Sequence, residues 1–117
     1  MSDKFLVKKT SLVVAGFLAL AFSSISFAAV DVDAAKGLAR QNNCFLCHGT
    51  DKDKIGPSFK KVADKYHGKA DAEAHMVHHL TSGEKAKFPD GHMEDHKIIN
   101  TKDMGEIKNL VNWILSL

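Results

Sequence analysis

The sequence is poor in several features that mark common classes of protein. It contains only two cysteines in 117 residues, and its strongly apolar run, residues 11–22, is short. A transmembrane helix needs about 20 apolar residues, so this run is too short for a typical span. Lipoprotein processing requires a cysteine at the cleavage site, and Cys44 and Cys47 both lie well beyond the run. These shortages argue against a membrane-spanning protein and against a lipoprotein.

A large excess of charge of one sign is also missing. The formal net charge is +2, from 16 basic and 14 acidic residues. Residues 1–28 contain Lys4, Lys8 and Lys9 against the single acidic Asp3, so this segment accounts for the whole excess and residues 29–117 are formally neutral. Nucleic-acid binding needs a sustained excess of basic residues on one face. The charge distribution therefore argues against it.

Residues 1–28 have the order of a secretory signal peptide. A basic start leads into the apolar run and ends in the small-residue pattern Ser26-Phe27-Ala28. This order predicts export to the periplasm with cleavage after Ala28 or Ala29, and the alternative is an uncleaved membrane anchor. The remaining domain, residues 29–117, is small enough to be marginally stable unless a further element supplements its core. A large apolar cofactor would be such a supplement.

The segment Cys44-Phe45-Leu46-Cys47-His48 is a CxxCH motif, the attachment signature of c-type haem. Two thiols separated by two residues reach the two vinyl groups of one porphyrin and form thioethers. The histidine that follows the second cysteine then lies under the iron and supplies a proximal nitrogen ligand. The motif predicts one covalently attached haem.

Other roles for two cysteines are a disulfide, a redox-active CxxC pair and a zinc site. A redox pair is expected at a strand-helix junction of a thioredoxin-like fold, and the sequence shows no such βαβ pattern. Zinc needs two further ligands, and His75 and His79 stand four residues apart on a predicted helix. Export and the adjacent His48 favour haem attachment over a redox pair and over a zinc site.

The motif CFLCHG is followed by a proline nine residues after His48, in the segment IGPSF. With this motif and this spacing, the chain resembles the small class I bacterial cytochromes c of the c551/c552 kind. The resemblance implies an all-α fold, a single domain of three to five helices wrapped around one haem. It also implies that the carbonyl of Pro57 accepts a hydrogen bond from His48; the alternative is that Pro57 is only a turn residue.

Hydrophobic spacing predicts four helices, over residues 33–42, 59–66, 71–82 and 101–117. Asp33 is the predicted N-cap of the first, Gly83 ends the third, and Thr101 or Asn100 caps the last. Residues 83–100 are predicted to form a long loop. Met76 is expected in the core, and the resemblance places Trp113 across the small Gly37.

The second ligand to the haem iron is predicted to be Met93, because it follows Pro89 and Gly91 in the loop where the family has its distal methionine. The family usually has a proline after this methionine, and this chain has Glu94. His92 and His96 flank Met93 and are the alternatives, as is an open site. Two histidines would give a lower reduction potential than a histidine and a methionine.

A haem with two protein ligands has no vacancy for a substrate, so we expect an electron carrier and not an enzyme. Expected partners are a dehydrogenase or reductase as donor and an oxidase or reductase as acceptor. The alternatives are an electron-accepting subunit of an exported dehydrogenase, or an open-site haem protein such as a peroxidase component or gas sensor. An excess of lysine around the motif is a candidate docking face for an acidic partner; its members are Lys52, Lys54, Lys60, Lys61, Lys65 and Lys69.

Overall fold

The structure is a computed structural model that describes residues 29–117, and the predicted signal peptide lies outside the described residues. Within this range the chain forms five helices and two short strands. In chain order they are α1 (Val32–Gln41), α2 (Cys44–Cys47), α3 (Phe59–Tyr66), α4 (Ala72–Ser82), β1 (Lys85–Lys87), β2 (Met93–Asp95) and α5 (Met104–Leu115). The four predicted helices are thereby confirmed; α3 has the predicted ends, and the ends of the other three are shifted by at most three residues. None of the described helices is long and apolar enough to cross a membrane.

The N-caps of two helices differ from the predicted ones. The Asp31 carboxylate accepts the backbone N–H of Ala34 at 3.0 Å and so caps α1 in place of Asp33. Asp33 lies in the first turn, where a negative charge interacts favourably with the helix dipole. The cap of α5 is Asp103, whose Oδ1 accepts the N–H groups of Gly105 and Glu106 at 2.8 and 3.2 Å.

The core forms where α5 packs against α1, α3 and α4. Apolar residues at three- and four-residue spacing on α5 give this contact its continuous buried stripe; they are Ile107, Leu110, Val111 and Ile114, with Trp113 beside them. The Trp113 ring packs edge to face on Phe45 and Phe59, with ring centres 6.4 and 5.7 Å away. Outside the backbone of its own helix and its chain neighbours, no heavy atom lies within 4 Å of the position that a Cβ on Gly37 would take, so the predicted packing of Trp113 across Gly37 is not supported.

The segment after α4 is more ordered than the predicted loop. Gly83 ends α4 in the left-handed conformation (φ 68°), as predicted. β1 and β2 then pair in antiparallel register, with Lys85 opposite Asp95 and Lys87 opposite Met93. This hairpin adds a two-stranded sheet to the predicted all-α architecture. Strands of three mainly polar residues lack the apolar alternation by which a strand is predicted from sequence.

Candidate functional site

A cavity of about 640 Å³ opens between α2, α3, α4 and the segment that follows β2. Its volume lies in the range of sites that hold a cofactor-sized molecule. Cys44, Cys47 and His48 form part of one wall, and the apolar side chains of Phe59, Met76 and Leu80 are also in the lining. The structure thus brings all three residues of the CxxCH motif to one cavity, hereafter the central cavity.

A single helical turn places the motif at the cavity wall. Asn43 precedes α2 in the left-handed conformation (φ 57°), and the Cys44 carbonyl accepts the N–H of His48 at 2.9 Å. Asparagine tolerates this conformation better than most residues. The turn therefore begins at one cysteine, contains the other and ends at the histidine. Burial raises the pKa of the Cys44 thiol, which keeps it neutral in its partly apolar surroundings.

Three neighbours hold the His48 ring in one orientation. Its Nδ1 donates a hydrogen bond to the Pro57 carbonyl at 2.6 Å, the contact that the family resemblance implied. Phe59 stacks on the ring with centres 5.3 Å apart and planes 16° from parallel. Since Nδ1 is engaged by the protein, Nε2 is the ring nitrogen left for a metal.

Gly56 is the third neighbour of the His48 ring. A Cβ on Gly56 would lie 2.6 Å from Cε1 and 2.9 Å from Nδ1 of His48, closer than side-chain contacts allow. The N–H of Gly56 also donates to the Cys47 carbonyl at 2.7 Å. The absence of a side chain at this position thus lets the loop lie directly against the His48 ring.

Met93 does not line the central cavity. It lies on β2, where the residue is 50% exposed. His92 is also outside the lining, since its ring contacts the carboxylates of Asp90 and Glu94 and stacks on Phe88. These two carboxylates raise the pKa of His92, with Asp90 contributing most. The structure therefore does not bring the predicted Met93, or the alternative His92, to the cavity.

His96 does line the central cavity. Its ring centre is 6.3 Å from that of His48 and 4.1 Å from that of His79. Its Nδ1 donates to the Lys97 carbonyl at 3.0 Å, again leaving Nε2. Burial, reinforced by His79, lowers the pKa of His96 and favours the neutral imidazole that metals bind.

His75 and His79 were the candidates for a zinc site. In the structure Nδ1 of His79 is hydrogen bonded to Glu84 at 2.7 Å, and the His75 ring contacts Tyr66 with centres 5.3 Å apart. In the part of the chain that the structure describes, no group of three or more His, Cys, Asp or Glu side chains is placed to hold a metal ion by itself. A protein-only zinc site therefore has no support here.

Two of the lysines predicted to form a docking face are engaged by oxygen atoms of the protein. Lys61 forms an ion pair with Asp53, and this pair, with the Ser58 N–H, lowers the pKa of the Asp53 carboxyl. Nζ of Lys54 donates to the Phe45 carbonyl at 2.5 Å. Lys52 and Lys60 are exposed. The basic face is therefore partly used for local structure around the motif.

The comparisons with known proteins agree on one family. The model of the cytochrome c family matches residues 32–117. Cytochrome c-552 of Nitrosomonas europaea is 32% identical over 101 residues, which are 86% of this chain and 91% of that protein. Cytochrome c-552 of Hydrogenobacter thermophilus is 31% identical over 84 residues, 72% of this chain and 82% of its own length.

The fold is similar to solved structures as well. The crystal structure of class 1 cytochrome MtoD from Sideroxydans lithotrophicus ES-1 has a TM-score of 0.73 and 74% sequence identity, over 75% of this chain and 97% of that one. That of wild-type Nitrosomonas europaea cytochrome c552 has a TM-score of 0.56 and 30% identity, over 69% and 96% of the two chains.

Proposed function

Because this chain belongs to the cytochrome c family, we propose that it carries single electrons between redox proteins in the periplasm. Its cofactor is one covalently attached haem c, and Cys44 and Cys47 stand at the CxxCH spacing. We assign the two thioether bonds to these cysteines and the proximal ligand to His48. When bound, the haem supplies an iron that gains and loses one electron without bond chemistry.

The observation that carries this proposal is the fit of one cavity wall to the cofactor. Both thiols and the His48 ring line the same cavity, and the Pro57 carbonyl and Phe59 fix the ring so that Nε2 is free of a protein partner among residues 29–117. The hydrogen bond from Nδ1 to Pro57 selects the tautomer that binds metal through Nε2 and increases its donation. A tightly held ligand also limits structural change between the two oxidation states, which favours fast electron transfer over catalysis.

The periplasmic location rests on the order of residues 1–28, which is that of a signal peptide. We propose that residues 1–28 are removed and that residues 29–117 form the working domain. Its partners are redox proteins, a donor dehydrogenase or reductase and an acceptor oxidase or reductase. Exposed lysines near the motif, such as Lys52 and Lys60, suit an acidic docking surface on them.

The proposal is tested by expressing the full chain with a c-type haem maturation system. We expect a red protein in the periplasmic fraction whose pigment stays with the polypeptide on a denaturing gel. The double variant Cys44→Ser, Cys47→Ser is expected to lose the covalent pigment. Leu46→Ala is the matched control, because Leu46 lies between the two cysteines and its side chain is largely exposed. A colourless exported protein, or pigment extractable by acidified acetone, would contradict the proposal.

A further inference from the structure

We infer that His96, and not Met93, is the second protein ligand of the haem iron, so that the iron is held between two histidines. The inference deepens the proposed function and rests on it. It concerns the wall of the central cavity opposite the CxxCH motif, where the family resemblance predicts a methionine. Three independent observations on His48 and His96 support it.

The first observation is the separation of the two rings. Their centres are 6.3 Å apart, and both rings line the same cavity. A metal-bound imidazole nitrogen lies about 2 Å from the metal, which puts the ring centre about 3 Å away, so two imidazoles on opposite sides of one ion have centres about 6 Å apart. The 45° between the ring planes is compatible with this, because two imidazoles bound on opposite sides of one ion would each be able to rotate about the axis through it.

The second observation is that the two rings are oriented by the same kind of contact. Nδ1 of His48 donates to the Pro57 carbonyl at 2.6 Å, and Nδ1 of His96 donates to the Lys97 carbonyl at 3.0 Å. Histidine ligands usually donate their other ring nitrogen to a carbonyl or carboxylate in this way. In residues 29–117 no hydrogen bond engages Nε2 of either ring, so both are available to one metal.

The third observation is the path of the chain between β2 and α5. The N–H of His96 donates to the Glu84 carbonyl at 3.0 Å, and that of Ile99 donates to the Leu80 carbonyl at 2.9 Å. These bonds hold the segment against the end of α4, at the cavity. Met93 lies three residues back, opposite Lys87, and a strand rises about 3.3 Å per residue, so it is displaced by about 10 Å toward the tip of the hairpin.

Two other side chains in the cavity lining are weaker candidates. Met76 carries the only thioether in the lining of the described cavity, but it lies on α4 within the buried core cluster, with 6% of its surface exposed. His79 also has its Nδ1 engaged, by Glu84, but among the described residues its ring contacts that of His96, with centres 4.1 Å apart, and not that of His48. The packing of Met76 in the core and the ring contacts of His79 therefore both favour His96 as the ligand.

The test is spectroscopic and uses the haem-loaded protein. With two histidine ligands, the ferric wild type is expected to be low-spin and to lack the weak near-infrared band of a sulfur-to-iron bond. Its reduction potential should lie below that of a histidine-methionine cytochrome of the same family measured in parallel. The variant Met93→Leu should leave the spectrum and the potential unchanged. His96→Gly should become high-spin in the ferric form and bind carbon monoxide in the ferrous form.

Added imidazole distinguishes a lost ligand from a damaged fold. We expect millimolar imidazole to restore the low-spin spectrum of His96→Gly, and His79→Gln to keep the wild-type spectrum without it. A near-infrared sulfur band in the wild type that disappears in Met93→Leu or Met76→Leu would overturn the inference. In that case, covalent pigment in the wild type would still support the proposed function. Absence of covalent pigment in the wild type would contradict both the proposed function and the assignment of His96.

Discussion

Asn42 and Asn100 stand 58 positions apart in the chain, and Oδ1 of Asn42 accepts the backbone N–H of Asn100 at 2.7 Å. The Asn42 amide also donates to the Leu38 carbonyl at 2.9 Å, and the side chain is buried. This residue thus ties the end of α1 to the segment that leads from His96 into α5. It lines the central cavity next to the CxxCH motif.

Replacing Asn42 with alanine should destabilise the protein by about 1–3 kcal/mol, because the buried Asn42 side chain loses two hydrogen bonds, each worth about 0.5–1.5 kcal/mol. The measurement is urea unfolding of the haem-loaded protein, followed by far-ultraviolet circular dichroism. Gln41→Ala is the control, since Gln41 is the exposed neighbour on the same helix. Equal unfolding midpoints for the two variants would show that the link to Asn100 contributes nothing.

Gly56→Ala should disturb the histidine ligand, because the new methyl group would overlap the His48 ring. Overpacking of this kind costs about 1–3 kcal/mol, because side chains leave their preferred rotamers or the backbone shifts. We expect a lower yield of haem-loaded protein and shifted electron-resonance g values. Gly37→Ala is the matched control, because a Cβ there meets no heavy atom within 4 Å outside its own helix and chain neighbours, and alanine favours the helix. Identical g values in Gly56→Ala and wild type would count against a close contact.

Asp103→Ala should destabilise α5 by about 0.5–2 kcal/mol, the usual effect of removing an N-cap. Asp103 accepts two backbone N–H groups, whereas the sequence predicts Asn100 or Thr101 as the cap. Asn100→Ala is therefore expected to have a smaller effect on the urea midpoint. If Asn100→Ala is the more damaging of the pair, the cap has been assigned to the wrong residue.

Glu73 should make stability depend on acid pH. Its Oε2 accepts a hydrogen bond from Asn112 at 2.8 Å and Lys108 lies 3.3 Å from Oε1, and these contacts lower its pKa in the folded protein. A lowered folded pKa stabilises the protein above the unfolded pKa of about 4.3, and the contribution disappears as pH falls through the folded value. Since the side chain is partly exposed, the effect is small, about 0–1 kcal/mol.

Glu73→Gln should accordingly lower the urea midpoint at neutral pH, with the difference from wild type closing as the pH falls through the lowered pKa of Glu73. Asp64→Asn serves as a control for removing an exposed carboxylate from a neighbouring helix. A difference between Glu73→Gln and wild type that persists or grows in acid would contradict the sign of this pKa shift.

The basic face should speed electron exchange with anions. Oxidation of the ferrous protein by ferricyanide is expected to slow as salt is added, since exposed lysines attract the anion and salt screens them. The double variant Lys52→Gln, Lys60→Gln should show a weaker dependence. A cationic cobalt(III) complex is the matching probe and should show the opposite salt trend. Salt-independent rates with ferricyanide would argue against a docking role for these lysines.

The elements that could be predicted from the sequence are those governed by neighbouring residues. α3 has the predicted ends at Phe59 and Tyr66, and α4 ends at Gly83 as predicted, because amphipathic spacing and a left-handed glycine are local signals. Caps were harder to predict. Several polar residues precede α1 and α5, and only the backbone path decides which carboxylate reaches the free N–H groups.

By itself the sequence determined the haem chemistry, since the CxxCH motif places two thiols and an imidazole within five consecutive residues whatever the rest of the chain does. Only the tertiary structure decided which residue faces His48 across the cavity. Met93 and His96 are three positions apart, and the pairing of β1 with β2 and the bonds of the following segment to α4 turn one outward and the other inward. That choice depends on contacts between distant parts of the chain, which residue spacing along one segment does not encode.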